Sequence, residues 1–437
     1  MDRYPTTISF TPVTRPVSAS VRVPGSKSIT NRALLLAALA EGESRLLSPL
    51  DSDDTERMQE CLRLLGVSVS EQDGGDLVVQ GASGRFQAPE APLMTGNSGT
   101  TIRFLTAAAA LVPAGAEVVL DGAARMRERP IKDLLDALAP LGVKTHSLAG
   151  NGCPPVTVAG GGLPGGHCTV HGGISSQYLS ALLLAAPLAQ NDVTIQVEGN
   201  LVSKPYVDIT QSVIAAFGGR MENDAYCLFR APARQKYQGR VYAVEPDASN
   251  AAYFLAAAAV AGGRVVIEGL GTASVQGDAR FVDVLEQMGC TVERAPQQLI
   301  VAGPEKLKGI DIDLETIPDT AQTAAVLAAF AEGPSTITGI GNLRVKETDR
   351  IAAIAIELRK LGADVEEGRD YWRITPAKSG LHGAAIDTYD DHRMAMSFAV
   401  AGLRVPGLTI NDPGCVAKTF PDFWILWEEA FGNVRGI

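Results

Sequence analysis

Residues 28–42 read SITNRALLLAALAEG, and this stretch decides the fold because its design returns five more times along the chain. The other copies are GTTIRFLTAAAALVPAG from Gly99, SSQYLSALLLAAPLA from Ser175, ASNAAYFLAAAAVAGG from Ala248, DTAQTAAVLAAFAEG from Asp319 and DHRMAMSFAVAG from Asp391. Alanine predominates on every face of each, which predicts helices that approach their neighbours closely and are buried rather than amphipathic. A Ser, Asn or Asp near each start is expected to supply a cap.

Outward from these helices the pattern is equally regular. Short β-branched runs follow, as in AEVVLDG, VTIQVEG, RVVIEG, STITG and LTIND, and each leads through a loop to a second, more polar helix. That outer helix stops at an apolar residue followed by glycine: Gly66, Gly142, Gly218, Gly289, Gly362 and Gly432, spaced 76, 76, 71, 73 and 70 residues apart. Hairpin-like segments come next, for example VSVSEQDGGDLVVQ, CTVERAPQQLIVAG and ADVEEGRDYWRIT. One unit is therefore βαβαββ, longer than the usual solenoid repeats.

At 437 residues the chain exceeds one ordinary core. The expected class is α/β, called α+β in some schemes, with two domains of three units each. The sixth unit ends five residues after Gly432 without its hairpin, whereas the chain begins with two strand-like runs, TISFTPV and ASVRVPG. The N-terminal strands are expected to complete that last unit. One domain then comprises residues 1–24 and 246–437 and the inserted one 25–245, with hinge crossings near 24–25 and 245–247, where Pro, Gly and Asp favour turns.

A formal charge of -11 argues against nucleic acid or an anionic membrane as partner, so any anion site is local. The six cysteines are scattered without a C-x-x-C pair, which points to reduced thiols and a cytosolic, hence cytoplasmic, protein. The N-terminal MDRYPTTISF lacks a basic region followed by an apolar one, so no export signal is expected, and no apolar run is long enough for a membrane span. His167, Cys168 and His171 in HCTVH read as strand rather than as metal ligands. Neither metal nor cofactor is expected, and a monomer is.

Cations nevertheless gather at helix starts: Lys27, Ser28 and Arg32 in VPGSKSITNR, Arg103 after GNSGTT, Arg125, Arg127 and Arg129 in RMRERP, and Lys204 in LVSKPY. In the second half they are Arg344, Lys346 and Arg350 in RVKETDR, Arg393 in DDHRMAM and Lys418 in AKTFPD. Any one alone reads equally well as a solvated charge. Several together oppose the helix dipole, a mismatch that an anionic ligand would offset. PGSKS lacks the spacing G-x-x-x-x-G-K-[ST], which excludes a nucleotide triphosphatase loop. Acid and base candidates are Asp319, Glu347 and His392.

At these residues the chain closely resembles the 5-enolpyruvylshikimate-3-phosphate synthases of the enolpyruvyl transferase family. PGSKSITNRALLLAALAEG, GNSGTTIRFLTAA, RMRERPI, SSQYLSALLLAAP, LVSKPYVDIT, RVKETDRI, DDHRMAM and AKTFPDF occur in the family's order across essentially the whole chain. The resemblance implies two domains closing around shikimate 3-phosphate and phosphoenolpyruvate. It also implies 3-phosphoshikimate 1-carboxyvinyltransferase activity: enolpyruvyl transfer to the shikimate 5-hydroxyl with release of phosphate, on the way to chorismate and aromatic amino acids.

Carried over by motif, Lys27, Ser28, Arg32, Ser175, Ser176, Gln177, Ser203, Tyr206, Asp319, Asn342 and Lys346 would hold shikimate 3-phosphate. Lys27, Asn97, Gly99, Arg125, Gln177, Arg350, Arg393 and Lys418 would hold phosphoenolpyruvate. Asp319, Glu347 and Lys27 would move protons. Three positions depart from common family patterns: Phe104 and Ala124 stand where proline is frequent, and Leu343 where tryptophan is. Phe104 flanks the phosphoenolpyruvate pocket, which glyphosate occupies in this family.

Two rivals share parts of this reading. A UDP-N-acetylglucosamine enolpyruvyl transferase has the same fold and donor and carries a reactive cysteine in a mobile loop. Cys153 in GNGCPP fits only superficially, and KETDR and KTFPDF favour the shikimate enzyme. A phosphometabolite sensor would have lost Asp319, Glu347 or Lys27, all of which are present.

Overall fold

The computed structural model describes residues 4–436. The chain divides into two compact units, one of Gly25–Val244 and the other of Met1–Pro24 with Glu245–Ile437.

In the unit Gly25–Val244 six helices alternate between inner and outer positions: α1 (Lys27–Leu39), α2 (Asp53–Leu64), α3 (Gly99–Ala108), α4 (Lys132–Leu138), α5 (Ser176–Ala185) and α6 (Lys204–Ala216). The inner three are α1, α3 and α5. Every residue of α3 is buried, and so is every residue of α1 from Ile29 onward. Their small side chains leave nothing to face water, so packing rather than amphipathicity holds them. The outer α2 is instead half exposed, with Asp53, Asp54 and Glu56 in its first turn, where they favour the helix dipole.

The second unit repeats the scheme with α7 (Ala248–Ala261), α8 (Phe281–Gln287), α9 (Ala321–Ala328), α10 (Arg350–Lys360), α11 (His392–Gly402) and α12 (Phe423–Phe431). Its core includes Phe254 of α7, whose ring centroid lies 5.3 Å from that of Trp427 and 5.9 Å from that of Phe423 on α12. After each outer helix the stopping glycine takes a positive φ, from 63° at Gly432 to 100° at Gly289, a left-handed turn that side chains resist.

Six four-stranded sheets are present among the described residues, three per unit. Each sets one parallel pair against an antiparallel pair, as in Gly166–His171, Val193–Glu198, Leu228–Ala231 and Glu222–Asp224.

The N-terminal strands divide their service, which corrects the expectation that both complete the last unit. Thr7–Phe10 does so, pairing antiparallel with Thr409–Asn411 and with Val434–Arg435. Val17–Val21 runs parallel to Gly263–Glu268 in the fourth unit's sheet. The last unit already supplies Val434–Arg435 and lacks only one strand. The fourth unit lacks its leading strand because Val241–Ala243 pairs with Glu43–Leu47 of the first.

The expected caps also hold only in part. Ser175, Asp247 and Asp391 accept a backbone N–H at the starts of α5, α7 and α11, whereas α1, α3 and α9 have no side-chain cap. At α3 the Ser98 hydroxyl turns to Thr101, 2.7 Å away, and before α9 the Thr320 hydroxyl donates back to the Ile317 carbonyl.

Candidate functional site

Within Gly25–Val244 the starts of the inner helices carry the candidate residues. Lys27, the first residue of α1, lies 3.3 Å from the buried Asp54 carboxylate on α2. The Ser98 and Thr101 hydroxyls both donate to the Asp54 carbonyl, which ties the start of α3 to the same helix.

One turn along α1, Arg32 is only 1% exposed. It donates to the Thr210 hydroxyl at 2.7 Å, the Ser28 carbonyl at 2.8 Å, the Tyr206 carbonyl at 3.1 Å and the Ser180 hydroxyl at 3.3 Å. Its guanidinium also stacks 4.9 Å from the centre of the Phe104 ring. Among the described residues no carboxylate pairs with it, and burial pushes its pKa down to about 9. A buried cation satisfied only by neutral oxygens gains from any anion that reaches it.

The second convergence in this unit is at Gly99. A Cβ there would stand 2.8 Å from Arg103 Nη1, 2.9 Å from Arg129 Nη2 and 3.3 Å from Gln177 Oε1. Glycine is thus what allows two guanidiniums and an amide to close on one backbone position. Arg103 and Tyr178 fix the frame by donating to the Pro130 carbonyl, at 3.2 Å and 2.5 Å. Arg129 donates to the carbonyl and side-chain oxygens of Asn97. Ser175 and Ser176 begin α5 just ahead of Gln177, and Ser203, with φ of 56°, precedes α6.

Arg125 pairs with Glu128 at 2.8 Å on the half-exposed turn, and Arg127 pairs with Asp121. In RMRERP it is therefore Arg129, grouped with the other clustered cations but not assigned to either substrate, that is buried and faces Gly99. Which of the three arginines turns inward was not legible, because only the short helical turn Met126–Glu128 brings Arg129 round.

Within the other unit the charges form a continuous network around Arg350. Its Nε and Nη2 donate to Asp391 at 2.7 Å and 3.2 Å, Nη2 also donates to Glu347 at 2.9 Å, and Nη1 donates to Asp319 at 3.3 Å. Arg393 donates to Asp319 at 2.7 Å and to the Tyr253 hydroxyl at 3.1 Å. Lys418 lies 3.7 Å from Glu347. Burial works against the charge of Arg350, yet Asp391, Glu347 and Asp319 together raise its pKa above the ordinary value.

Asp319 is accordingly engaged with two guanidiniums rather than with the start of α9. Asn342 and Lys346 sit on the short helical segment Gly341–Val345 and its end, directly before Glu347. Arg344 instead anchors the loop through Asp349 and the carbonyls of Gly368 and Arg369. The His392 ring is buried, 3.6 Å from Asp391.

His167 and Cys168 point to opposite faces of their strand and cannot share an ion. Among the described residues no group of three His, Cys, Asp or Glu side chains is placed to hold a metal. The Cys153 thiol is pushed up by burial, the opposite of what a reactive thiolate requires.

Residues 12–427 match the sequence profile of the family described as EPSP synthase (3-phosphoshikimate 1-carboxyvinyltransferase). The chain belongs to the EPSP synthase family. A relative named 3-phosphoshikimate 1-carboxyvinyltransferase from Marinomonas sp. is 50% identical over 414 residues, covering 94% of this chain and 96% of that one. A chloroplastic relative of the same name from Arabidopsis thaliana is 48% identical over 431 residues, covering 95% and 82%. The solved EPSP synthase of Acinetobacter baumannii superimposes with a TM-score of 0.82 at 29% identity, covering 98% of this chain and 99% of that one.

For a member of the EPSP synthase family the Phe104 departure has a structural meaning. The aromatic ring supplies the face on which Arg32 lies. Leu343 is fully buried, and Ala124 is exposed beside Arg125.

Proposed function

We propose that this chain is a 3-phosphoshikimate 1-carboxyvinyltransferase, moving the enolpyruvyl group of phosphoenolpyruvate to the 5-hydroxyl of shikimate 3-phosphate and releasing phosphate. The observation that carries the reading is the Arg350 network, in which Arg350, Arg393 and Lys418 share Asp319 and Glu347.

Phosphoenolpyruvate brings a phosphate and a carboxylate, for which forked guanidiniums and a lysine are suited partners. Its methylene carbon must gain a proton so that the adjacent carbon becomes electrophilic, and the acceptor hydroxyl must lose one as it attacks. Departure of phosphate and loss of a proton from the new methyl group then restore the double bond. Arg350 and Arg393 hold the Asp319 carboxylate, and Arg350 and Lys418 hold that of Glu347, so an entering anion competes for the same cations and frees these oxygens to exchange protons with the substrates. Asp319 is assigned as base toward the hydroxyl, Glu347 as the acid toward the methylene carbon, and Lys27 assists.

Lys27, Ser28, Arg32, Ser175, Ser176, Gln177, Ser203, Tyr206, Asp319, Asn342 and Lys346 are assigned to shikimate 3-phosphate. Lys27, Asn97, Gly99, Arg125, Gln177, Arg350, Arg393 and Lys418 are assigned to phosphoenolpyruvate, with Arg103 and Arg129 added by their convergence on Gly99. With this role go a cytoplasmic setting, a monomeric state and competition by glyphosate for the phosphoenolpyruvate pocket.

The test is phosphate release from the purified protein given both substrates. Release should require both, and UDP-N-acetylglucosamine should not replace the shikimate substrate. Asp319→Asn should lower kcat by roughly 10²–10⁴ while shikimate 3-phosphate still binds. Silence of the wild-type protein would remove the assignment, and near-normal turnover of the variant would remove Asp319 from the mechanism.

A further inference from the structure

The segment 387–391, which leads into α11, contains two consecutive left-handed residues, Tyr389 with φ of 56° and Asp390 with φ of 54°. Neither is glycine, so the segment keeps this shape only where its surroundings hold it. Its far end is held by Arg350, through the paired bonds to Asp391. Asp391 in turn accepts the backbone N–H of Arg393 at 2.9 Å, which sets the first turn of α11.

The near end is held by Glu357, a fully buried carboxylate on α10. It accepts the Tyr389 hydroxyl at 2.6 Å and the Asp387 backbone N–H at 3.1 Å. Lys360 reaches both Glu357 at 2.8 Å and Asp387 at 2.7 Å, and Asn411 donates to the other oxygen of Asp387 at 2.8 Å. Arg350 and Glu357 are seven residues apart on α10, two turns along one face. One helix face therefore grips both ends of a strained strap, and the strap carries Asp391 and Arg393 at its exit.

We infer that Glu357 is a positioning residue for phosphoenolpyruvate binding, acting through Tyr389 and Asp387 to hold the strap that sets Asp391 and Arg393. The inference rests on the proposed assignment of Arg350 and Arg393 to that substrate. Glu357 and Tyr389 do not touch the substrate. Releasing the near end leaves the strap free to relax from its left-handed shape, which shifts Asp391 and, with it, both guanidiniums.

Steady-state kinetics of the full chain with both substrates test this. Tyr389→Phe removes a single hydroxyl from a partly exposed residue and keeps the fold. It should raise KM for phosphoenolpyruvate about fivefold, with KM for shikimate 3-phosphate and kcat each within about twofold of wild type. Glu357→Ala should raise the same KM further, and Glu357→Gln, which still offers an oxygen to the hydroxyl, should recover most of the loss. If Glu357→Ala does not fold, Tyr389→Phe decides alone. An unchanged phosphoenolpyruvate KM in Tyr389→Phe overturns the inference, as does a uniform change of all kinetic constants together with the melting temperature. A wild-type protein inactive on the two substrates would overturn the proposed function first and this inference with it.

Discussion

Asp278 lies behind the Arg350 network on a different element and shows what the network costs. Its carboxylate accepts the Ser249 hydroxyl, and one turn further along the same face of α7 the Tyr253 hydroxyl accepts Arg393. Burial first, and the negative charge of Asp319 second, push the Asp278 carboxyl from 3.8 up to about 7. Between those values the folded chain keeps a proton that the unfolded chain has released, so the contribution of this residue to stability falls as pH rises through the window. Asp278→Asn, which keeps an acceptor for Ser249, should therefore raise the melting temperature at pH 8 and raise it less at pH 5. An equal gain at both pH values, or a loss at pH 8, would contradict the sign. Asp278 was not legible in the sequence, because Ser249 and Asp319 stand 29 and 41 residues away and only the fold assembles them. Glu347, Arg350, Arg393 and Lys418 were legible as members of charged clusters, and Asp319 as a lone acid at a helix start. Asp391 was read only as the start of a helix, and its bonds to Arg350 depend on the strap in front of it.

The inner helices were the most legible elements, because alanine on every face admits no partly exposed arrangement. The same property makes them intolerant of added volume. Ala256 is fully buried in α7, so Ala256→Leu should cost about 1–3 kcal/mol through overpacking. Glu429→Ala on the exposed side of α12 should change stability by less than about 0.5 kcal/mol. Denaturant melts of the two variants compare them directly, and equal midpoints would mean that α7 is less tightly packed than its burial implies. Caps were less legible, since a hydroxyl at a helix start has rival acceptors. Ser98 and Thr320 take such rivals, and Asp319 gives its carboxylate to two guanidiniums. Strand pairing was least legible, because Val17–Val21 and Val241–Ala243 look alike in sequence and differ only in which sheet leaves an edge open.

At the scale of the whole chain, the division into units follows from those two strands. Val241–Ala243 closes a sheet of Gly25–Val244, so that unit contains every strand of its three sheets. The other unit does not close without the N-terminus. Thr7–Phe10 lies inside its sheet, between Thr409–Asn411 and Val434–Arg435, and contributes Ile8 and Phe10 to the core. The Phe10 ring packs 6.2 Å from that of Trp424, and it fills the space against Gly402 where a Cβ would otherwise go. Removing residues 1–12 would take an interior strand from that sheet and leave two strands of two and three residues with no partner between them. The expected calorimetric outcome is a loss or large downward shift of one unfolding transition, while residues 25–244 expressed alone still unfold cooperatively. Phe10→Ala should act in the same direction by about 3–5 kcal/mol. If the truncated chain melted as the intact one does, the N-terminal strand would be an accessory to the second unit, and the sheet order would not be what holds that unit together.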